Sequence, residues 1–158
     1  MKKRKKIYDR DNGYFLLRYL TDFSFRGCFK KLQYTGRENL PKDGAVILAP
    51  NHCNALMDAF AVLDMDHSHK VFVARADIFK QPLIQKILTF LKIMPINRVR
   101  DGFRSVLSSD DTTEKCIEVL NNRVPFCILP EGTHRPMHSL LPLGKGLSRI
   151  ACGAVKTI

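Results

Sequence analysis

The sequence predicts an α/β fold in which helices flank a mostly parallel sheet. Two short, wholly apolar runs, residues 45–49 and 125–129, are typical of buried parallel strands. Stretches rich in helix-forming residues or with helical apolar spacing, at about 55–65 and 78–93, lie between them. Strands that alternate with helices in this way indicate βαβ units in one layered domain.

Each predicted element has its own local evidence. The first strand (AVILA, 45–49) follows a Pro-Lys-Asp-Gly turn, and the run VFVA predicts a second strand. Thr112, with a glutamate two positions later, resembles a helix N-cap, so we predict that a helix begins there. The remaining predicted elements are a short strand at 95–97, a helix over 112–120 and a helix over 146–155.

Composition excludes several classes of protein. The chain has 158 residues, 45% hydrophobic and 26% charged, which is the balance of a folded domain and not of a disordered or collagen-like chain. The five cysteines contain no CxxC pair, so we expect a reducing compartment and no disulfide framework. Cys116, Cys127 and Cys152 are expected to be buried. No metal site is predicted, and the close pairs His67/His69 and His134/His138 are interpreted as exposed loop histidines.

The basic charge is concentrated at the N-terminus. The chain carries a net +11, and residues 1–32 hold ten basic side chains against three acidic ones, interleaved with aromatic and aliphatic residues. This pattern favours an amphipathic helix at an anionic membrane surface, and 1–32 is therefore predicted as a segment separate from a domain over 33–158. A solvated tail before an ordinary surface helix is the alternative. Nucleic-acid binding is not predicted, because no recognition motif follows. Neither a membrane span nor a cleaved signal peptide is expected.

Three polar clusters follow predicted strands, at the edge of the sheet where ligands bind in α/β folds. Singly, each is compatible with structural residues. Together they offer a base with an orienting carboxylate, a guanidinium for a phosphorylated substrate, and a Glu-Gly-Thr turn with backbone N–H groups. The clusters are 51–58 (NHCNALMD), 97–101 (NRVRD) and 130–135 (PEGTHR).

These motifs, with GRENLP at 36–41, resemble the PlsC-type 1-acylglycerol-3-phosphate/glycerophospholipid acyltransferase superfamily over roughly residues 34–147. The resemblance implies a glycerol-3-phosphate acyltransferase-like fold, catalysis by His52 and Asp58, and an Arg98 that holds the phosphate of the acceptor. It also implies a block of residues that contacts the acceptor, followed by a basic position. The block contains Glu131, Gly132, Thr133 and Arg135, and the basic position is Lys145.

The implied reaction moves a fatty acyl group from an acyl thioester, acyl-CoA or acyl-carrier protein, to a hydroxyl of a (lyso)glycerophosphate acceptor, without a further cofactor. His52 would act as general base, although Cys53 is an alternative as a nucleophile. Five residues separate His52 from Asp58 where the family commonly has four, so Asp64 and Asp66 remain alternative partners. The helix before Met94 would line an acyl groove or simply pack in the core.

The sequence departs from the family pattern at two further points. His134 stands where the family usually has arginine, and the chain ends at Ile158, before a Val-Pro-Val-like fourth block. We therefore expect a C-terminally incomplete domain. The expected location is the cytoplasmic face of the membrane, as a peripheral protein of phospholipid synthesis. The alternative is a membrane-associated lipid-binding pseudoenzyme, or an inactive fragment of this fold.

Overall fold

The computed structural model describes residues 5–97, 103–132 and 145–157, with residues 139, 141 and 143; over 103–110 it describes the backbone. The predicted α/β architecture is confirmed. The strands are β1 (Ile47–Leu48), β2 (Val71–Arg75), β3 (Ile93–Ile96) and β4 (Phe126–Cys127). The helices are α1 (Asn12–Gly27), α2 (Leu56–Asp64), α3 (Pro82–Phe90), α4 (Phe103–Asn121) and α5 (Lys145–Val155), and two 3-10 turns lie at Arg37–Asn39 and Ala76–Lys80.

The sheet has the strand order β1-β4-β2-β3, and each neighbouring pair is parallel. Phe126 of β4 aligns with Ile47 on one side and with Val71 on the other, so the fourth strand lies between the first and the second. Parallel pairing brings all four carboxyl ends to one edge. The loops that follow β1 and β4 therefore leave the sheet side by side.

The core lies between the sheet and the helix pair α4 and α5. Val71 and Phe126 are fully buried there against side chains such as Leu120 and Ile150. The two helices approach closely at Gly153, where an added methyl group would lie 2.6 Å from Cδ1 of Ile117. A side chain at position 153 would therefore require the end of the Ile117 side chain to shift.

Two sequence predictions are wrong in this region. Helix α4 begins at Phe103 and not at Thr112, which is a buried residue within the helix at 8% exposure and does not cap it. The nine preceding residues are poor in strong helix formers, so local propensity did not predict the earlier start. Cys152 is exposed, whereas Cys116 and Cys127 are buried as expected.

Helix α3 begins at Pro82, a favourable first position, after the 3-10 turn, and is shorter than the predicted 78–93. None of its residues is buried; Leu83 is 70%, Ile87 48% and Phe90 42% exposed. The interpretation of this apolar stripe as plain core packing is therefore wrong. The strand predicted at 95–97 lies at Ile93–Ile96.

Helix α1 packs on α2 through a face that includes a charged residue. Its buried residues are Tyr14, Arg18 and Phe25, so a charged residue lies on the packed side. Its exposed residues include five large hydrophobic ones: Leu16, Leu17, Tyr19, Leu20 and Phe23. Among the described residues, no helix is long and apolar enough to cross a membrane.

Candidate active site

The candidate site lies at the carboxyl edge of the sheet, in the loop that joins β1 to α2. His52 leaves the end of β1, and Asp58 lies in the first turn of α2. Nδ1 of His52 and Oδ2 of Asp58 are 3.0 Å apart, which is hydrogen-bond distance. Both side chains are mostly buried, at 17% and 15% exposure, and a small substrate group can still reach them.

The backbone of the loop holds Asp58 in place. The N–H of Asn54 donates to the same Oδ2 atom at 2.9 Å, in the manner of a capping box that reaches back across the helix start. Ala55, at the helix N-cap, has φ 48° and ψ −119°, a conformation that costs a residue with a side chain about 1–3 kcal/mol. Strain of this kind persists only where the surroundings enforce it, and here it turns the chain so that Asp58 faces His52.

The hydrogen bond decides which imidazole nitrogen carries the proton. A carboxylate oxygen is an acceptor, and Oδ2 of Asp58 already accepts from the N–H of Asn54. Nδ1 of His52 therefore donates the hydrogen bond. In that tautomer Nε2 carries no proton, which is the state that a general base requires.

The two alternative partners of His52, Asp64 and Asp66, form hydrogen bonds with other residues. Asp64 accepts hydrogen bonds from Nε of Arg26 at 2.6 Å and from the hydroxyl of Tyr34 at 3.0 Å. Asp66 accepts from Nζ of Lys70 at 2.8 Å. Neither is within hydrogen-bond reach of His52. In the described part of the chain, no three His, Cys, Asp or Glu side chains are grouped as metal ligands.

The third motif follows β4, the neighbour of β1 in the sheet. Gly132 has φ 65°, which favours glycine, and its N–H donates to the carbonyl of Leu129 at 3.1 Å. That N–H closes the turn and is not available to a substrate, so the turn serves to present Glu131, which is partly exposed. Lys145 is exposed at the first position of α5. Three further candidates lie outside the described residues: Arg98, Thr133 and Arg135.

An apolar groove lies against helix α2, which carries Asp58. It has a volume of about 360 Å³ and runs between α1 and α2. Its walls include Leu20 and Phe25 of α1, with Met57 and Phe60 of α2. Met57, the residue before Asp58, lines this groove, whereas His52 and Asp58 do not. Its lining suits a hydrocarbon chain.

Sequence reasoning missed the residues that hold α2 in place. Arg18 of α1 donates to the backbone carbonyls of Leu63, Asp66 and Ser68, at and just beyond the end of α2. A guanidinium at a helix C-terminus satisfies carbonyls that have no partner within the helix and opposes the negative end of the dipole. The only sign in the sequence is an arginine in an otherwise apolar stretch, which resembles any exposed helix charge.

This combination of a parallel α/β sheet with a His-Asp pair at its carboxyl edge defines a class of protein. Residues 31–158 match the family model described as Acyltransferase, and the chain belongs to that family. The resemblance seen in the motifs is thereby confirmed.

Individual curated proteins show which acyltransferases this chain resembles. The chain is 28% identical to a chloroplastic 1-acyl-sn-glycerol-3-phosphate acyltransferase of Brassica napus over 124 residues, 78% of this chain and 34% of that protein. It is 29% identical to the 1-acyl-sn-glycerol-3-phosphate acyltransferase of Borreliella burgdorferi over 122 residues, 72% of this chain and 46% of that protein. The chain thus spans less than half the length of these curated relatives.

A solved structure agrees with these relatives. The crystal structure of the 1-acyl-sn-glycerophosphate acyltransferase PlsC from Thermotoga maritima superposes with a TM-score of 0.67 at 26% identity. The match covers 92% of this chain and 58% of that chain.

Proposed function

We propose that this chain transfers a fatty acyl group from an acyl thioester to the free hydroxyl of a 1-acylglycerol 3-phosphate. The observation that carries the proposal is the 3.0 Å contact between His52 and Asp58 at the carboxyl edge of the sheet, in a member of the acyltransferase family. The names of the relatives favour this acceptor.

The chemistry requires no nucleophile from the protein. Nε2 of His52 takes the proton of the acceptor hydroxyl as its oxygen attacks the thioester carbonyl, and Asp58 stabilises the imidazolium that forms. The tetrahedral intermediate then collapses, the carbon–sulfur bond breaks, and His52 returns the proton to the thiolate. The products are the ester and the free thiol of CoA or of acyl-carrier protein.

The two substrates have complementary places around this pair. The resemblance assigns the acceptor phosphate to Arg98, since a guanidinium binds phosphate through two hydrogen bonds. We infer that the acyl chain lies in the groove between α1 and α2, because this groove is apolar and is lined in part by the helix that carries Asp58.

The exposed face of α1 supports a membrane location. Tyr19 is 73%, Phe23 74% and Leu16 66% exposed, on a helix whose opposite face is packed. Exposed apolar residues beside basic ones suit an anionic bilayer. The free cysteines fit a reducing compartment, so we place the protein at the cytoplasmic face as a peripheral enzyme.

The test is an acyl-transfer assay on the 158-residue chain with detergent-dispersed substrates. Release of thiol from palmitoyl-CoA or palmitoyl-carrier protein is measured with lysophosphatidic acid, and with lysophosphatidylcholine as a control acceptor. Thiol release that depends on lysophosphatidic acid supports the proposal. Absence of turnover, together with retained binding of the acyl lipid, would favour the lipid-binding alternative.

The membrane location is tested with point substitutions, because removing α1 would also remove Arg18 and Arg26 from α2. Vesicles of phosphatidylglycerol are expected to bind the wild type and to release it in about 0.5 M salt, where the Debye length is only about 4 Å. A Leu16→Gln, Phe23→Gln variant, changed at exposed positions that do not line the groove, should bind more weakly than the wild type at low salt. Equal binding of the variant and the wild type would contradict the proposed orientation.

A further inference from the structure

A second cleft lies at the opposite edge of the sheet from His52. It has a volume of about 410 Å³ and is bordered by Arg10 and Phe15, by residues 67–69 and by residues 123–125. Residues 67–69 lead into β2 and residues 123–125 lead into β4, so the cleft is at the amino ends of these strands. We call it the basal cleft. Its position separates it from the proposed acyl-transfer site.

The Arg10 side of the basal cleft is built from a chain of contacts. The guanidinium of Arg10 lies 5.2 Å from the centre of the Phe15 ring, and Phe15 meets the ring of His69 edge-on at 5.9 Å. Nε2 of His69 is 3.1 Å from the carbonyl of Tyr8. These contacts hold Arg10 with one face on an aromatic ring and its N–H edges available to a ligand.

Arg123, on the other side of the cleft, has an unfavourable backbone conformation. Arg123 follows the end of α4 with φ 55°, the left-handed conformation that favours glycine or asparagine at a helix end. Its N–H closes the helix by donating to the carbonyl of Leu120 at 2.8 Å. Nothing in this capping role requires a long basic side chain. The position therefore retains a guanidinium at some expense in backbone energy.

The charges around the cleft leave these two cations unneutralised. Within the part of the chain that the structure describes, the guanidinium groups of Arg10 and Arg123 form no hydrogen bond or ion pair. The neighbouring carboxylates are engaged: Asp9 accepts from the N–H of Lys6, and Asp66 is paired with the fully buried Lys70. No Asp or Glu lines the cleft.

We propose that the basal cleft binds a phosphate group, held between the guanidinium groups of Arg10 and Arg123. Two arginines offer the planar donor edges that phosphate oxygens accept from. The apolar part of the lining, Phe15 with Val124 and Pro125, accommodates the group attached to the phosphate. The phosphate belongs either to an anionic phospholipid headgroup or to a soluble phosphate ester. The proposal stands whether or not the chain transfers acyl groups.

The soluble source is tested by titrating inorganic phosphate at constant ionic strength and following the backbone amide resonances of residues 67–69 and 123–124. Arg123→Asn removes the guanidinium while placing a favoured residue in the left-handed conformation, so its melting temperature should equal or exceed that of the wild type. Arg149→Gln is the matched control, because Arg149 is an exposed arginine on α5. We expect saturable shifts in the wild type and the control, and at least fivefold weaker binding in Arg123→Asn.

The lipid source is tested with phosphatidylglycerol and phosphatidylcholine vesicles. A basic residue near an anionic bilayer contributes about 1 kcal/mol, which is about fivefold in affinity. Arg10→Gln with Arg123→Asn should therefore lower the affinity for phosphatidylglycerol about 25-fold, whereas Arg149→Gln should not.

Saturable binding of inorganic phosphate, without an effect of the substitutions on vesicle binding, identifies a soluble phosphate ester. Selective loss of phosphatidylglycerol binding in the double variant identifies a lipid headgroup. Absence of both effects, or equal effects in the Arg149→Gln control, overturns the proposal.

Discussion

Arg26 of α1 donates a hydrogen bond to Asp64 of α2 across 2.6 Å, and the aspartate side chain is only 1% exposed. Tyr34 shares this carboxylate, and burial together with that hydrogen bond raises the pKa of Tyr34 to about 12. Arg18 binds backbone carbonyls at the same end of α2. Helix α1 is thus joined to the helix that carries Asp58.

Loss of Arg18 should destabilise the fold. Arg18→Ala leaves carbonyl groups at the end of α2 without their charged donor, and we expect the free energy of unfolding to fall by about 2–5 kcal/mol. Urea denaturation followed by circular dichroism measures the change. The control, Arg149→Ala on the exposed face of α5, should stay within about 0.5 kcal/mol of the wild type. Equal stabilities of the two variants would show that the Arg18 contacts contribute little.

The strands and the His-Asp pair could be predicted because their determinants are local. The runs around Ile47 and Phe126 are apolar enough to require burial, and Asp58 follows His52 at a spacing that a short loop and one helical turn can close. The family motifs then indicated that this pair is catalytic, which the spacing alone did not decide.

The remaining features depend on tertiary contacts that no local pattern contains. The periodicity of α1 shows two faces but not which one packs, and burial of Arg18 depends on the carbonyl groups at the end of α2. The strained Ala55 has no sequence signature, since alanine is otherwise a good helix residue.

His52→Ala is expected to lower kcat for acyl transfer by about 10²–10⁴, because the acceptor hydroxyl loses its base. Asp58→Asn should cost nearly as much, since an amide does not stabilise the imidazolium. Steady-state kinetics with thiol detection measures both. Asp43→Asn, in an exposed turn, is the control and should be unaffected. Cys53→Ala should retain turnover; its complete inactivation would instead favour a thiol nucleophile.

Arg98→Ala is expected to act mainly on the acceptor. Loss of the guanidinium should raise the KM for lysophosphatidic acid with a smaller change in the KM for the acyl donor, and Arg98→Lys should restore binding only in part. The two substrates are varied separately. An unchanged acceptor KM would remove the phosphate-binding role from Arg98.

Thiol reactivity should divide the cysteines into two groups. Burial raises the pKa of both Cys116 and Cys127 to about 12, so these thiols should not react with Ellman's reagent at pH 8 in the folded protein. Cys28 and Cys152 are exposed and should react quickly. Mass spectrometry of the modified peptides assigns the sites. Rapid labelling of Cys127 without denaturant would contradict its burial in β4.

Stability should fall as the pH drops below neutrality, in part through His69. Burial lowers the pKa of His69 below its usual value of 6.5, and the nearby cations Lys92, Arg18 and Lys70 lower it further. The unfolded chain then binds a proton more readily than the folded chain, so the stabilisation by neutral His69 is complete above pH 6.5 and is lost as the pH falls through the lower, folded-state value. His69→Gln keeps a donor for the carbonyl of Tyr8 but does not titrate. Urea denaturation at pH 7.5 and 5.5 should therefore show a smaller loss of stability in His69→Gln than in the wild type, and an equal loss in both would assign the pH dependence to other groups.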